Sequence, residues 1–339
     1  MAKDLYVLFA TPLSLKRRTE QGMFRQKKDK VPVSTRSLGK RIYYYRGFYL
    51  MFLPVLIFAL IFYYAPMLGI RLSFYDYKGI KDPVFTGLKN FEKMFSMKGF
   101  WAAFKNTLEI SIIKLLINTG AAVVISLLLN ELIFLRFKKI AQTIIYLPHF
   151  MSWVVTASVF TLILSPTQEG LVNAFLTTLG FVEKGNEIYF LGLRNLWRPA
   201  YYVINIWKET GWGTIIFMAT LSGINPELYE AASIDGADRW QRMKFITIPA
   251  LMNTIITVLI LNLAKVMNLF ESVFVLQNHA VVRQSDVLAT YIYTQTFNSG
   301  ALPNYGYTTA VGLVRSLVGC ALVLICNHIS KRIRGRGIV

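Results

Sequence analysis

The sequence predicts an all-α integral membrane protein of about six transmembrane helices. Hydrophobic residues fill 54% of its 339 positions and charged residues only 16%, more apolar surface than one or two soluble cores of this size could hide. Six apolar runs are each close to or longer than the roughly 20 helical residues that cross about 30 Å of hydrocarbon. Lysine and arginine collect in alternate gaps between those runs, as they do in chains whose basic residues set topology.

The runs fall near 48–70, 107–130, 141–165, 200–223, 249–272 and 307–329. The first, third and last are long and clean, whereas the fourth and fifth carry more polar residues. Run one is a retained helix rather than a cleaved signal peptide, because residues 1–47 precede it and it is long enough to span. This divides the chain into a basic tail (1–47), a first helix with its following loop (48–106), a core of five helices (107–329) and a basic C-terminus (330–339).

With the N-terminus inside, the inner gaps hold 22 of the 37 Lys and Arg and the outer gaps 11. Both termini are therefore expected in the cytoplasm, with the chain a multi-pass membrane protein. The outer loop with Arg71, Lys78, Lys81, Lys89, Lys93 and Lys98 runs against the rule, although Asp76, Asp82 and Glu92 offset it. The formal charge of +19 then reads as a solvated topogenic tail on an anionic leaflet, not as a nucleic-acid surface. Leu5-Tyr6-Val7-Leu8-Phe9 is apolar enough to lie on the membrane and too short to cross it.

Enzyme chemistry finds little support. Cys320 and Cys326 both sit in the last apolar run and suggest neither a disulfide framework nor a metal site. His149, His279 and His328 are far apart and lack metal-ligand spacing; His149, beside Pro148, reads as a polar helix-packing residue. No phosphate-binding G-x-x-x-x-G-K-[ST] loop occurs, so ATP chemistry would have to come from another chain. A membrane-embedded enzyme would need clustered acids or histidines in the spans, and a secondary transporter would show pseudo-repeated broken helices; neither pattern is visible.

The richest segment lies between the fourth and fifth runs, at 225–249. Asn225 can cap a helix, Pro226 suits its first position and Glu227 favours the positive end of its dipole. The helix should run to about Asp235, where Gly236 supplies a left-handed turn, and a second turn of helix should follow through Arg242. Leu228, Ala231, Ala232 and Asp235 share one face by their spacing, and small alanines let another surface come close. Pro249 is expected to break the chain ahead of the fifth run.

Glu230-Ala231-Ala232, three residues, Gly236, nine residues, Ile246, one residue, then Ile248-Pro249 resembles the EAA signature of binding-protein-dependent ABC importer permeases, with Ile248 for the usual leucine. Tyr146-Leu147-Pro148-His149-Phe150, Gly87-Leu88-Lys89-Asn90-Phe91, Leu128-Leu129-Asn130-Glu131, Phe270-Glu271 and Thr309-Ala310-Val311-Gly312-Leu313 are similar to the LplB-like branch of carbohydrate permeases, over roughly residues 45–335. The resemblance implies a type I importer permease fold, related to the maltose-type membrane subunits, with Glu230, Ala231, Ala232, Asp235 and Gly236 on a coupling helix that docks on an ATPase. It implies as partners a second homologous permease, two cytoplasmic ATPase subunits holding ATP and Mg, and an extracytoplasmic solute-binding protein. The chain itself would carry no cofactor, and its cargo would be an oligosaccharide or polysaccharide fragment.

For the cargo path, Asn262, Lys265 and Asn268 recur every third residue, which on a helix spans an arc of roughly 120°. The resemblance implies that this helix lines the sugar cavity. Lys265 stands where the branch has a small residue, and a cation facing the cavity would favour a cargo bearing carboxylates. The alternative is that Lys265 pairs with Glu271 or with an acid of the partner permease; Lys114 and Arg315 share that ambiguity. Trp153 departs from the branch, which tends to a small or β-branched residue there, and so bears on the shape of a sugar site. Trp197, Trp207 and Trp212 read either as ring-stacking surfaces or as interfacial anchors.

Overall fold

The structure is a computed structural model describing residues 43–80, 82–298 and 302–334, without the side chains of the last two. Residues 1–42 of the basic tail, with Leu5–Phe9, and residues 335–339 of the C-terminus lie outside the described residues. The chain divides into two units, 1–65 and 66–339. In the first, helix α1 (Arg46–Ala59) passes into a π-helical turn, Leu60–Tyr64. The helical run Arg46–Phe74 is 29 residues long and apolar enough to cross a membrane, and the exposed aromatic and aliphatic side chains of α1 are those of a helix whose solvent is lipid.

The second unit opens with a short antiparallel hairpin, β1 (Tyr75–Asp76) against β2 (Val84–Phe85), and helix α2 (Lys89–Ser96). The 33-residue helix α3 (Lys98–Asn130) follows and packs along α7 (Trp197–Ser222). Glycines set how closely α7 lies against its neighbours. A Cβ on Gly211 would run into the Ile145 carbonyl oxygen, and one on Gly213 would come within 2.8 Å of the Ala122 methyl.

The third expected span is not one straight helix. Helix α4 (Leu135–Tyr146), a 3-10 turn (Leu147–Phe150) and α5 (Trp153–Ile163) meet at a bend of 105°. Pro148 cannot donate a helical hydrogen bond, and Ser152 restarts the helix by accepting from the Val155 amide at 3.2 Å. The freed His149 carbonyl accepts from Lys208 Nζ at 3.2 Å, so the break is satisfied inside the protein, as backbone at membrane depth must be. Beyond it lie the short helix α6 (Leu171–Thr178) and then α7.

The segment after α7 holds α8 (Pro226–Ile234), α9 (Arg239–Arg242) and α10 (Ile248–Leu263). Two expectations fail here. Pro249 does not break the chain: Arg239–Leu263 is one 25-residue helical run, because the π-helical turn Met243–Thr247 widens the ladder where proline lacks its donor. The fifth span also stops at Leu263 rather than 272. A separate 3-10 turn, Val266–Asn268, and helix α11 (Glu271–Leu276) follow. Ser111 Oγ on α3 caps this ending by donating to the Val266 carbonyl at 2.7 Å.

Helices α12 (Val282–Ser285) and α13 (Leu288–Phe297) lead to α14 (Tyr305–Arg334). Among the described residues four helices are long and apolar enough to cross a membrane, and the bent α4–α5 pair makes a fifth. At 26 residues α7 is long enough for a sixth; its Asn205, Lys208, Thr210 and Thr214 are buried against protein. The core is built on Trp197, Tyr201, Ile204 and Val273 at one end of α7 and on Phe217, Leu221 and Leu251 at the other, with Met94, Phe100, Met267 and Tyr307 packed beside α3.

Arg198, at the start of α7, ties the loop ahead of α13 to α3. Its guanidinium donates to Glu109 Oε2 (2.8 Å), Asn106 Oδ1 (2.7 Å) and the Gln284 carbonyl (3.1 and 3.2 Å). Asn106 in turn donates to the carbonyls of Arg283 and Asp286. Burial pushes the Asp286 carboxyl above its usual range, against the hydrogen bond that Thr290 donates to it.

Candidate functional site

A cavity of about 460 Å³ opens between α3, α7 and the end of α10. Each wall is a helical stripe: Ser111, Lys114, Asn118 and Ala122 recur on α3, and Glu209, Trp212, Gly213 and Ile216 on α7, at the three- and four-residue spacing of one helix face. Val258 and Asn262 of α10, and Lys265, Val266 and Leu269 beyond it, make the third wall. The broken span contributes His149 at the bend.

The charged groups in this space are unevenly paired. His149 stacks on Trp212, ring centroids 5.1 Å apart and 15° between planes, with its Nδ1 3.3 Å from Glu209 Oε2. Glu209 Oε1 lies 3.7 Å from Lys208 Nζ, which also sits 5.2 Å above the Trp153 ring. By contrast, no hydrogen bond or contact ion pair holds the side chains of Lys114 or Lys265 among the described residues. Asn118 Oδ1 is buried without a donor. Two cations, one carboxylate, two amides and an aromatic face are thus presented to one space, an arrangement suited to a polar ligand with hydroxyls and a negative charge directed to the lysine side.

The second constellation is the segment after α7. Asn225 Oδ1 accepts from the Glu227 amide at 3.1 Å, and Pro226 occupies the first turn of α8. Gly236 has φ +79°, and the Ala237 and Gly236 amides return to the carbonyls of Ala232 (2.8 Å) and Ser233 (3.2 Å), the two bonds of a Schellman ending. Asp238 and Gln241 then form a reciprocal capping box on α9. Ile234, Trp240 and Phe245 stand 87%, 75% and 68% exposed around this elbow, an apolar patch of the kind that meets another protein.

Residues 122–335 match the family described as binding-protein-dependent transport system inner membrane component. This chain belongs to that family. The permease is 39% identical over 294 residues to the polygalacturonan/rhamnogalacturonan transport system permease protein YteP of Bacillus subtilis, covering 86% of this chain and 89% of the relative. It is 38% identical to Protein LplB of the same organism, covering 86% and 90%. Among solved structures it is similar, at 36% identity and a TM-score of 0.80, to a chain of a bacterial ABC transporter involved in the import of the acidic polysaccharide alginate, covering 88% of this permease and 99% of that chain. A bacterial alginate ABC transporter in complex with an alginate pentasaccharide-bound periplasmic protein matches equally well.

The permease brings some of the sequence-predicted residues together and separates others. Asn262 and Lys265 both line the cavity, but not as one helical arc: α10 has ended by Lys265, and Asn268 lies outside the lining. Trp153 also lies outside it, packed against the core beside Trp197 and Tyr201. Trp197 is fully buried, donating from Nε1 to the Leu276 carbonyl, and Trp207 meets Phe160 edge-on; only Trp212 of the three faces the cavity. No ion pair joins Lys265 to Glu271 among the described residues. Sequence reasoning assigns Asn118 and Glu209 no part in the site and reads His149 as a packing residue. The available signal is the polar stripe of Ser111, Lys114 and Asn118 in a mainly apolar stretch of helix. Glu230, Ala231, Ala232, Asp235 and Gly236 sit together on and just after α8, as expected.

Proposed function

We propose that this permease forms half of the path by which an ATP-driven importer moves a carboxylate-bearing oligosaccharide or polysaccharide fragment. The observation that carries the reading is the cavity in which Lys114 and Lys265 face the same space without a contact partner, beside Asn118, Asn262 and Trp212. An unpaired cation at membrane depth costs roughly 2.5–3.5 kcal/mol even on a permissive scale, so a structure that keeps two of them open is set up for an anion. Amides exchange hydrogen bonds with sugar hydroxyls, and the indole of Trp212 offers an apolar face to a ring. The relatives named for polygalacturonan and alginate transport point to the same cargo chemistry.

In this reading both termini are cytoplasmic, and α8 with its glycine-terminated elbow docks on an ATPase through Glu230, Ala231, Ala232, Asp235 and Gly236. The partners are a second permease, two ATPase subunits that hold ATP and Mg, and a cargo-loaded solute-binding protein. Closure of the ATPases moves the elbow, and Arg239–Leu263, one continuous helical run, carries that movement to the cavity wall at Val258 and Asn262.

The test uses the assembled transporter in proteoliposomes with oligogalacturonate and its methyl ester, the neutral counterpart. Lys265→Met is expected to reduce uptake of the acidic cargo by about tenfold or more, the value of one charge-assisted hydrogen bond at about 1.5–3 kcal/mol. Uptake of the ester and the amount of complex should stay unchanged. Equal loss of both cargos would overturn the acidic reading.

A further inference from the structure

Glu209 is the single acid lining the cavity among the described residues, and it is also the carboxylate in contact with the buried Lys208. Lys208 is only 5% exposed and is already held from two other sides, by the His149 carbonyl and the Trp153 ring. The Glu209 side chain remains 27% exposed and lines the cavity, with one carboxylate oxygen toward Lys208 and the other toward the His149 ring. Lys114, across the cavity on α3, lies within the reach of the Glu209 charge yet makes no contact ion pair with it.

We propose that Glu209 is a resident counter-carboxylate that sets how tightly the cavity holds an acidic cargo, weakening the pull of Lys114 and Lys265 so that the cargo can leave. The inference rests on the acidic-cargo reading above and deepens it. Without Glu209 the space would present its lysines with no opposing charge, and a cargo carboxylate would be held too firmly for turnover. With it, a cargo carboxylate is drawn toward Lys114 and Lys265 and repelled from the His149–Glu209 side, which also sets the orientation of the sugar chain against the Trp212 ring. Glu209 thus acts on specificity and release rather than on assembly.

The experiment measures retention of radiolabelled trigalacturonate by the assembled transporter in equilibrium dialysis, and uptake at saturating cargo in proteoliposomes. Glu209→Gln is expected to tighten retention about tenfold, the scale of two unit charges roughly 12 Å apart at an effective dielectric near 20. It should also slow uptake, while the methyl ester is retained as by wild type. Glu209→Asp, which keeps the charge, is expected to behave like wild type; Glu209→Ala is the second neutral variant, should the glutamine amide fit poorly beside Lys208. Unchanged or weaker retention in an intact neutral variant overturns the proposal. So does failure of both neutral variants to assemble while Glu209→Asp assembles normally, since the charge would then serve the fold. The lysine variant reports separately: if Lys265→Met still loses acidic cargo selectively, the acidic reading stands whatever Glu209 does.

Discussion

Arg198 and Lys114 are both cations in the helical core, and the protein treats them in opposite ways. Arg198 spends its guanidinium on Glu109, Asn106 and the Gln284 carbonyl, and so clasps α3, α7 and the loop ahead of α13. Lys114, five residues along α3 from Glu109, has no hydrogen bond among the described residues and faces the cavity. A planar guanidinium with five donors is suited to a fixed junction of several acceptors, whereas a lysine is a movable point charge that meets a ligand with little geometric demand. The difference separates a charge that holds the fold from one that the fold holds open.

Exchanging each for an uncharged chain of similar length sharpens the contrast. Arg198→Met is expected to have the largest effect on stability. It removes the donors to Asn106 Oδ1 and the Gln284 carbonyl and leaves Glu109 with Lys105 at 3.6 Å; because Glu109 is 37% exposed, the loss falls below the about 3–5 kcal/mol of a fully buried broken pair, at roughly 2–3 kcal/mol. A lower midpoint for thermal aggregation of the purified complex, with the acidic-to-neutral uptake ratio intact in whatever assembles, is the expected result. A wild-type midpoint would show that the clasp is ornamental.

Lys114→Met should do the reverse. Removing a cation with no contact partner leaves the aggregation midpoint equal or higher, while uptake of oligogalacturonate falls about tenfold relative to its methyl ester. If stability drops instead, Lys114 belongs with Arg198 and the cavity loses one of its two open charges.

The smallest effect is expected at the seam between the two regions. Ser111 lines the cavity and also donates to the Val266 carbonyl where α10 has ended. Ser111→Ala removes a neutral hydrogen bond of about 1 kcal/mol, so a shift of a few degrees in the aggregation midpoint, with both cargos carried as before, is the measurement to make. A selective loss of acidic cargo would mean that the position of Lys265 depends on this one bond.

Whether a feature of this permease is legible in the amino-acid sequence depends on the range over which it is decided. The elbow at 225–242 is legible because the bonds that cap its helices close within a few residues: Asn225 onto Glu227, Gly236 onto Ser233, Asp238 with Gln241. The apolar runs are legible because burial in lipid depends on composition over about 20 positions. The sequence by itself therefore determined the membrane class, the long apolar helices and the form of the 225–242 elbow. Only the tertiary structure decided where the third span bends and where the fifth stops. An apolar run with Pro148 or Pro249 can kink or continue, and the outcome depends on whether a distant group meets the freed carbonyl. Lys208 does so for His149 at the bend, and Ser111 does so for Val266 beyond α10, while at Pro249 a π-turn keeps the helix whole. The cavity is of the same kind. Lys114, Glu209 and Lys265 are far apart in the chain, and what makes them one site is the packing of α7 on α3 through Gly213, a contact that no local pattern encodes.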